Sequence, residues 1–230
     1  MSRDQQIFRY LQICQIEGLS LQKGMNFLPL KGHSILLMSR RANAPYQDRV
    51  ESDGTLIYEG HDAPRKLGGP EPKEIDQPEF LASGKLTENG KFAAAARRFA
   101  EGGSPRPVRV YEKLRDGIWA DNGFFDLVEA WIERSNSRNV FKFKLVASEK
   151  TIVSRAPSRH IKGERSRIIP SSVKQEVWLR DSGKCCLCHA SDDLHFDHII
   201  PYSKGGSSVS ASNIQLLCAR HNLEKRDKIE

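Results

Sequence analysis

Apolar and polar positions along the first two thirds of the chain form short runs, not long stripes. "GHSILLMS", "TLIYEG", "RPVRVYEKL", "GFFDLVEAW" and "NVFKFKLVA" are rich in β-branched and aromatic residues. Several alternate with period two, the signature of a strand with one buried face. In "VFKFKLV", Phe141, Phe143 and Leu145 fall on one face and Lys142 and Lys144 on the other. These runs predict a curved sheet or barrel. One segment has a helical period instead. Thr87 caps it, Phe92, Ala95, Ala96 and Phe99 share a face, and Gly102 ends it. That stripe is core packing. Trp131 reads as core too. From His61 to Pro78 the chain is rich in Pro, Gly and charge and reads as a long loop. The fold class is therefore α+β.

From Lys150 to Arg167 there are six Lys or Arg and one acid, with Pro157 inside. This reads as a basic linker, either a solvated tether or a strap along a phosphate backbone. The expected division is a first domain over 1–150, a linker over 151–170 and a small second domain over 171–230. In the second domain "SSVKQEVWLRDSG" predicts a helix, with Ser172 and Gln175 as a capping box, Val173 and Val177 facing inward and Gly183 at its end. "LHFDHII" reads as a strand, "SKGGSSVSASN" as a loop, and "ARHNLEKRDK" as a closing helix.

With 230 residues the chain can bury a real core. A formal charge of +7 suits a polyanion such as nucleic acid, and equally a basic soluble protein. No apolar run is long enough to span a membrane, and "MSRDQQIFRY" lacks the apolar segment of a secretory signal, so a cytoplasmic location is expected.

Four of the five cysteines lie between Cys185 and Cys218. Such clustering in a reduced chain favours metal over disulfides. Cys185 and Cys188 form a C-x-x-C pair; Cys218 and His221 form a C-x-x-H pair. Two pairs with two-residue spacers complete a tetrahedron for structural Zn²⁺. Cys186 and His189 are left out of the set.

The stretch from Ser171 to about Lys228 resembles the HNH, or ββα-metal, nuclease family. The resemblance rests on "VWLRDSGKCCLC", "DHIIPYSKGG", "SNIQLLC" and "HNLEK". It implies His198 as general base, Asn213 as a loop brace that orients it, and Asp197 with Asn222 as hard oxygen ligands for one catalytic Mg²⁺ or Mn²⁺. With asparagine in the third family position the chain is an H-N-N variant. His195 is a further residue that could touch substrate. Lys204, Arg220, Lys225 and Arg226 are candidate phosphate contacts, or ordinary solubilising charge.

From about Gly32 to Val146 the chain resembles the SRA (YDG) domain, on "ANAPYQDRVESDGTLIYEGHD", "KLTENGKFAAAARRFAEGGSPRPVRVYEKL" and "GFFDLVEAWIERSNSRNVFKFKLV". The first 30 residues fall outside it. The resemblance implies a domain that flips a modified cytosine out of duplex DNA. Tyr46 and Tyr58 are then the sandwich for the base and Asp48 its edge reader, with Glu51 or Asp53 as substitutes because Arg49 follows Asp48. His61 and Arg65 could contact DNA.

Together the two resemblances imply a modification-dependent restriction endonuclease acting on double-stranded DNA with 5-methylcytosine or 5-hydroxymethylcytosine. The rivals are a non-catalytic reader, and a nuclease specific for unmodified sequence or another modification. A homodimer is an option the sequence leaves open.

Overall fold

The computed structural model describes residues 5–41, 44–65, 67–148 and 167–226. Strand β1 (Ile7–Arg9) runs into helix α1 (Tyr10–Glu17), closed by Gly18 in the left-handed conformation. Then follow β2 (Met25–Asn26), β3 (Ser34–Met38), β4 (Arg49–Val50), β5 (Leu56–Glu59), helix α2 (Glu88–Ala100), β6 (Arg106–Arg115), β7 (Ile118–Ser135) and β8 (Arg138–Ala147). They form one eight-stranded sheet in the order β2-β3-β6-β7-β8-β5-β4, with β1 added on β7. Only β3 and β6 pair in parallel; the other pairs are antiparallel. Register shifts interrupt β6–β7 and β7–β8, and such bulges bend and twist a sheet.

Alternation sorts the side chains. Leu36, Met38, Val108 and Val110 join Phe92, Ala95 and Ala96 of α2 in one core. Ile35 and Tyr111, on the opposite face, join Ile13 of α1 and Leu21 in another. Both faces are covered, so these central strands read as apolar runs. Thr87 caps α2 as expected, its hydroxyl accepting from the Gly90 N–H at 3.1 Å.

Alternation puts Lys142 on the face opposite Phe141 and Phe143, and that face too is covered at this position. Lys142 is fully buried, with its ammonium 2.9 Å from Glu59 and 3.6 Å from Glu133, while Lys144 is half exposed. Trp131 is not core. It is half-buried on the outer face and donates to Glu133 at 3.1 Å.

The second region holds α3 (Ser171–Arg180), β9 (Leu194–His198), β10 (Ile214–Cys218) and α4 (Ala219–Lys225). The two strands pair antiparallel, with Ile214 opposite His198 and Gln215 opposite Asp197. Helix α3 starts after Pro170 with no side-chain cap, so the expected capping box of Ser172 and Gln175 does not form. Val173 and Val177 do face inward, packed with Leu194, Phe196, Ile214 and Leu216. Most of the basic linker lies outside the described residues. Of its described end, Ile169 is fully buried in that same core.

Candidate functional site

The turn after α3 and the end of β10 bring Cys185, Cys188, Cys218 and His221 together, with all ligand atoms within 4.8 Å of one another. Cys188 and Cys218 sulfurs are 3.8 Å apart. His221 Nδ1 is 3.3 Å from the Cys185 sulfur and 3.4 Å from that of Cys218. Zn–S bonds of about 2.3 Å place the sulfurs of a tetrahedron about 3.8 Å apart, the separation of Cys188 and Cys218, so the residue types and spacing suit zinc. Burial pushes the Cys185 thiol up, but backbone N–H groups of Cys218, Cys188 and Leu187, with His221, bring it down to about 6, favouring the thiolate a metal takes. Cys186 stands apart and is exposed, its sulfur 3.3 Å from Gln215 Oε1. Among the described residues no other group of three or more His, Cys, Asp or Glu side chains is so arranged.

The two Cys/His pairs flank the hairpin that carries the Asp-His pair, Cys185 and Cys188 before β9 and Cys218 and His221 at the end of β10 and the start of α4. His198 Nε2 is 3.0 Å from the hydroxyl of buried Ser208, which donates to the Arg167 carbonyl at 3.3 Å. Asn213 spans the loop between the strands. Its Oδ1 accepts from the Ile200 N–H at 2.9 Å, and its Nδ2 donates to the carbonyls of Ile200 and Ser207 at 3.2 and 3.0 Å. Gly206 completes the brace, since a Cβ there would lie 1.8 Å from the Ile200 carbonyl oxygen.

Lys225 is corrected. It is not an exposed phosphate contact: it is 99 % buried, its ammonium 2.8 Å from Asp197 Oδ2 and 2.7 Å from the His198 carbonyl. Gln215 also donates to Asp197 Oδ2, at 3.3 Å. Asn222 lies in α4, one turn before Lys225, and is half-buried. His195 is corrected as well. It is 4 % exposed, with burial holding its imidazole below the usual histidine range, so it is not placed to touch substrate. Lys204, Arg220 and Arg226 are exposed.

In the first region a cavity of about 560 Å³ is lined by Tyr46, Asp48, Tyr58, His61, Trp119 and Lys23, among others. The structure thus gathers the three residues expected for base recognition. Asp48 is pinned by backbone: its Oδ1 accepts from Glu59 N–H at 3.0 Å and its Oδ2 from Ser39 N–H at 3.3 Å. Burial nevertheless pushes its carboxyl up to about 7. The strand that presents it is set by ion pairs beneath, where Glu59 holds Lys142 at 2.9 Å and accepts from Gln47 N–H at 3.1 Å.

Tyr58 is buried in the sheet core and only its hydroxyl end reaches the cavity. His61, expected on a DNA-facing loop, is inside. Its ring stacks on Tyr46 at 5.1 Å and 13°, and its Nε2 is 3.1 Å from the Tyr58 hydroxyl. Burial holds the imidazole down at about 4, so it is neutral. Gly24 makes room for it: a Cβ there would lie 2.8 Å from His61 Nε2 and 2.9 Å from the Tyr58 oxygen. The substitutes Glu51 and Asp53 line a different hollow, with Trp131 and Lys144. Arg65 is exposed and paired with Glu71. Sequence reasoning missed Ser208, Lys225 in its buried role, Gly24 and Gly206. The only signal was position: "GG" in the loop and lysine one turn after Asn222.

The second region is thus a ββα hairpin and helix stapled by a Cys₃His cluster, with an Asp-His pair held at its centre. Residues 184–228 match the model of the HNH endonuclease family, so this region is an HNH endonuclease domain. No curated protein matches the chain. Among solved structures, the SUVH5 SRA domain in complex with methylated CHH DNA is 21 % identical, covering 69 % of this chain and 88 % of that one, with a TM-score of 0.42. The SUVH5 SRA domain bound to fully hydroxymethylated CG DNA is 22 % identical over 70 % and 90 %, TM-score 0.41. The modification-dependent TagI restriction endonuclease is 17 % identical over 96 % and 76 %, TM-score 0.43. Among the described residues no helix is long and apolar enough to cross a membrane.

Proposed function

We propose that the protein is a modification-dependent DNA endonuclease. The cavity takes a 5-methylcytosine or 5-hydroxymethylcytosine flipped out of duplex DNA, and the HNH domain hydrolyses a nearby phosphodiester. The observation that carries this is the convergence, in one chain, of the Asp197–His198 pair in a hairpin flanked by a Cys₃His cluster and a separate cavity with Tyr46, Tyr58 and half-buried Asp48.

In the cavity, extruding a base costs a few kcal/mol. Stacking on an aromatic face returns roughly 1–3 kcal/mol. Tyr46 offers that face, at present covered by His61, with the Lys73 ammonium 4.2 Å from the ring centre. Neutral Asp48 offers one O–H donor and one carbonyl acceptor, the complement of cytosine N3 and its 4-amino group.

At the nuclease centre, His198 takes the proton of the attacking water. The Ser208 hydroxyl, itself donating to the Arg167 carbonyl, can accept from His198 Nε2–H and so fix the orientation of the ring. Asn213 fixes the loop on which this geometry depends. Asp197 and Asn222 would hold the catalytic ion; one carboxylate and one amide oxygen suit Mg²⁺ or Mn²⁺, which retain waters and phosphate oxygens as further ligands. When bound, such an ion supplies Lewis-acid stabilisation of the phosphate. The Zn²⁺ on Cys185, Cys188, Cys218 and His221 is structural.

One observation favours a second reading. The Lys225 ammonium already neutralises Asp197, as it would in a protein that binds modified DNA without cutting. A digest of matched unmodified, 5-methylcytosine and 5-hydroxymethylcytosine duplexes with Mg²⁺ or Mn²⁺, with and without chelator, decides. We expect cutting of modified DNA only, lost with chelator and reduced on the order of 10²–10⁴-fold by His198→Ala. Binding without cutting establishes the second reading; equal cutting of all three duplexes rejects modification dependence.

A further inference from the structure

Residues 5–9 carry none of the sites above, yet they join the two regions. Ile7, Phe8 and Arg9 pair with Ala120, Trp119 and Ile118 of β7. On that same side Gln5 N–H donates to the Asp121 carbonyl at 2.8 Å, and Asp121 N–H donates to the Gln6 carbonyl at 2.9 Å. The segment's other edge meets the nuclease hairpin. Phe196 N–H of β9 donates to the Gln5 carbonyl at 3.1 Å, and Gln6 bridges His195. The segment 5–9 therefore ties the large sheet to the hairpin that carries Asp197 and His198, β1 pairing with β7 and Gln5 and Gln6 just before it reaching β9.

The seam beneath is packed and charged. Ile7, Leu114 and Ala120 share one core with Ile169, Val173, Val177, Leu194 and Phe196. Lys174 of α3 is fully buried; its ammonium lies 2.8 Å from Glu112 of β6 and bonds Asn122 of β7 at 2.5 Å. Ser171 donates to the other Glu112 oxygen. A buried ion pair tolerates little displacement, because separating its partners leaves each charge uncompensated.

We propose that β1 and the Lys174–Glu112 seam lock the nuclease centre in one orientation to the base cavity, so that the fold, and not the linker's reach, sets the distance from recognised cytosine to cut bond. Glu112 and Lys174 are positioning residues in this scheme. The inference rests on the function proposed above.

The test maps cut positions on an end-labelled duplex carrying a single 5-methylcytosine. Wild-type protein is compared with Glu112→Ala, which leaves the Lys174 ammonium without its counter-charge, with Ile7→Asp, which puts a charge in the shared core, and with the double variant Glu112→Leu/Lys174→Met, which removes both charges together so that neither is left uncompensated. Gel shift with the same duplex and zinc content report that each region is intact, and hydrogen exchange at the Phe196 amide, whose N–H donates to the Gln5 carbonyl, reports that the seam has opened. The expected result is a narrow set of neighbouring cuts for wild type and the double variant, and a broad ladder with preserved total nicking for Glu112→Ala and Ile7→Asp. A ladder from wild type, or a narrow set from a variant whose seam is open, overturns the proposal. Should Ile7→Asp fail to fold, Glu112→Ala carries the test alone. Binding without any wild-type cutting would refute the underlying function instead, and is read from the gel shift and the digest separately.

Discussion

The two candidate sites are held rigid by different means. The cavity at Tyr46 and Asp48 sits on an eight-stranded sheet whose two faces are filled by Phe92, Phe125, Phe143 and Tyr111, with the Glu59–Lys142 pair buried beneath it. The Asp197–His198 pair sits on a two-stranded hairpin, too small to be stable alone, beside the Cys₃His cluster, the Asn213 brace and the neighbouring region's core. Rigidity needs many contacts per residue. A large sheet supplies them through apolar packing, and a small module obtains them from coordination bonds and a borrowed wall.

Breaking the cluster separates the two cases most sharply. Cys218→Ser removes a ligand from a site whose zinc affinity is on the order of 10 kcal/mol in small modules. Bound zinc should fall toward none by metal analysis, and amide protection should vanish from β9, β10 and α4 while β6 to β8 keep theirs. Full protection of β9 and β10 in the zinc-free variant would show that the shared core suffices. In the other direction, Phe143→Ala empties the sheet core and should cost about 3–5 kcal/mol of unfolding free energy by denaturant titration, with zinc content unchanged.

The smallest effect concerns chemistry in the cavity. Burial raises the Asp48 carboxyl from 3.8 to about 7. Its neutral form prevails below that value and is lost as pH rises through it. Affinity for 5-methylcytosine DNA should therefore weaken up to about tenfold per pH unit above neutrality. Asp48→Asn, which keeps one donor and one acceptor, should bind with no such slope. A wild-type affinity flat across that range would mean that Asp48 does not read the base.

These contrasts match what was legible beforehand. Two-residue spacers fix how far apart two ligands can lie, so Cys185, Cys188, Cys218 and His221 could be named from the chain alone. Period-two alternation placed Phe141, Phe143 and Leu145 on one face because strand geometry is local. The burial of Lys142 was not legible, for the complementary reason. Alternation says which side a residue takes, not what covers that side, and its partner Glu59 lies 83 positions away. His61 in the cavity, Lys225 on Asp197 and the tie made by β1 are of the same kind. Each depends on which distant backbone passes nearby. Spacing and periodicity are short-range properties written in the sequence; burial and ion pairing belong to surfaces that exist only once the chain has closed on itself.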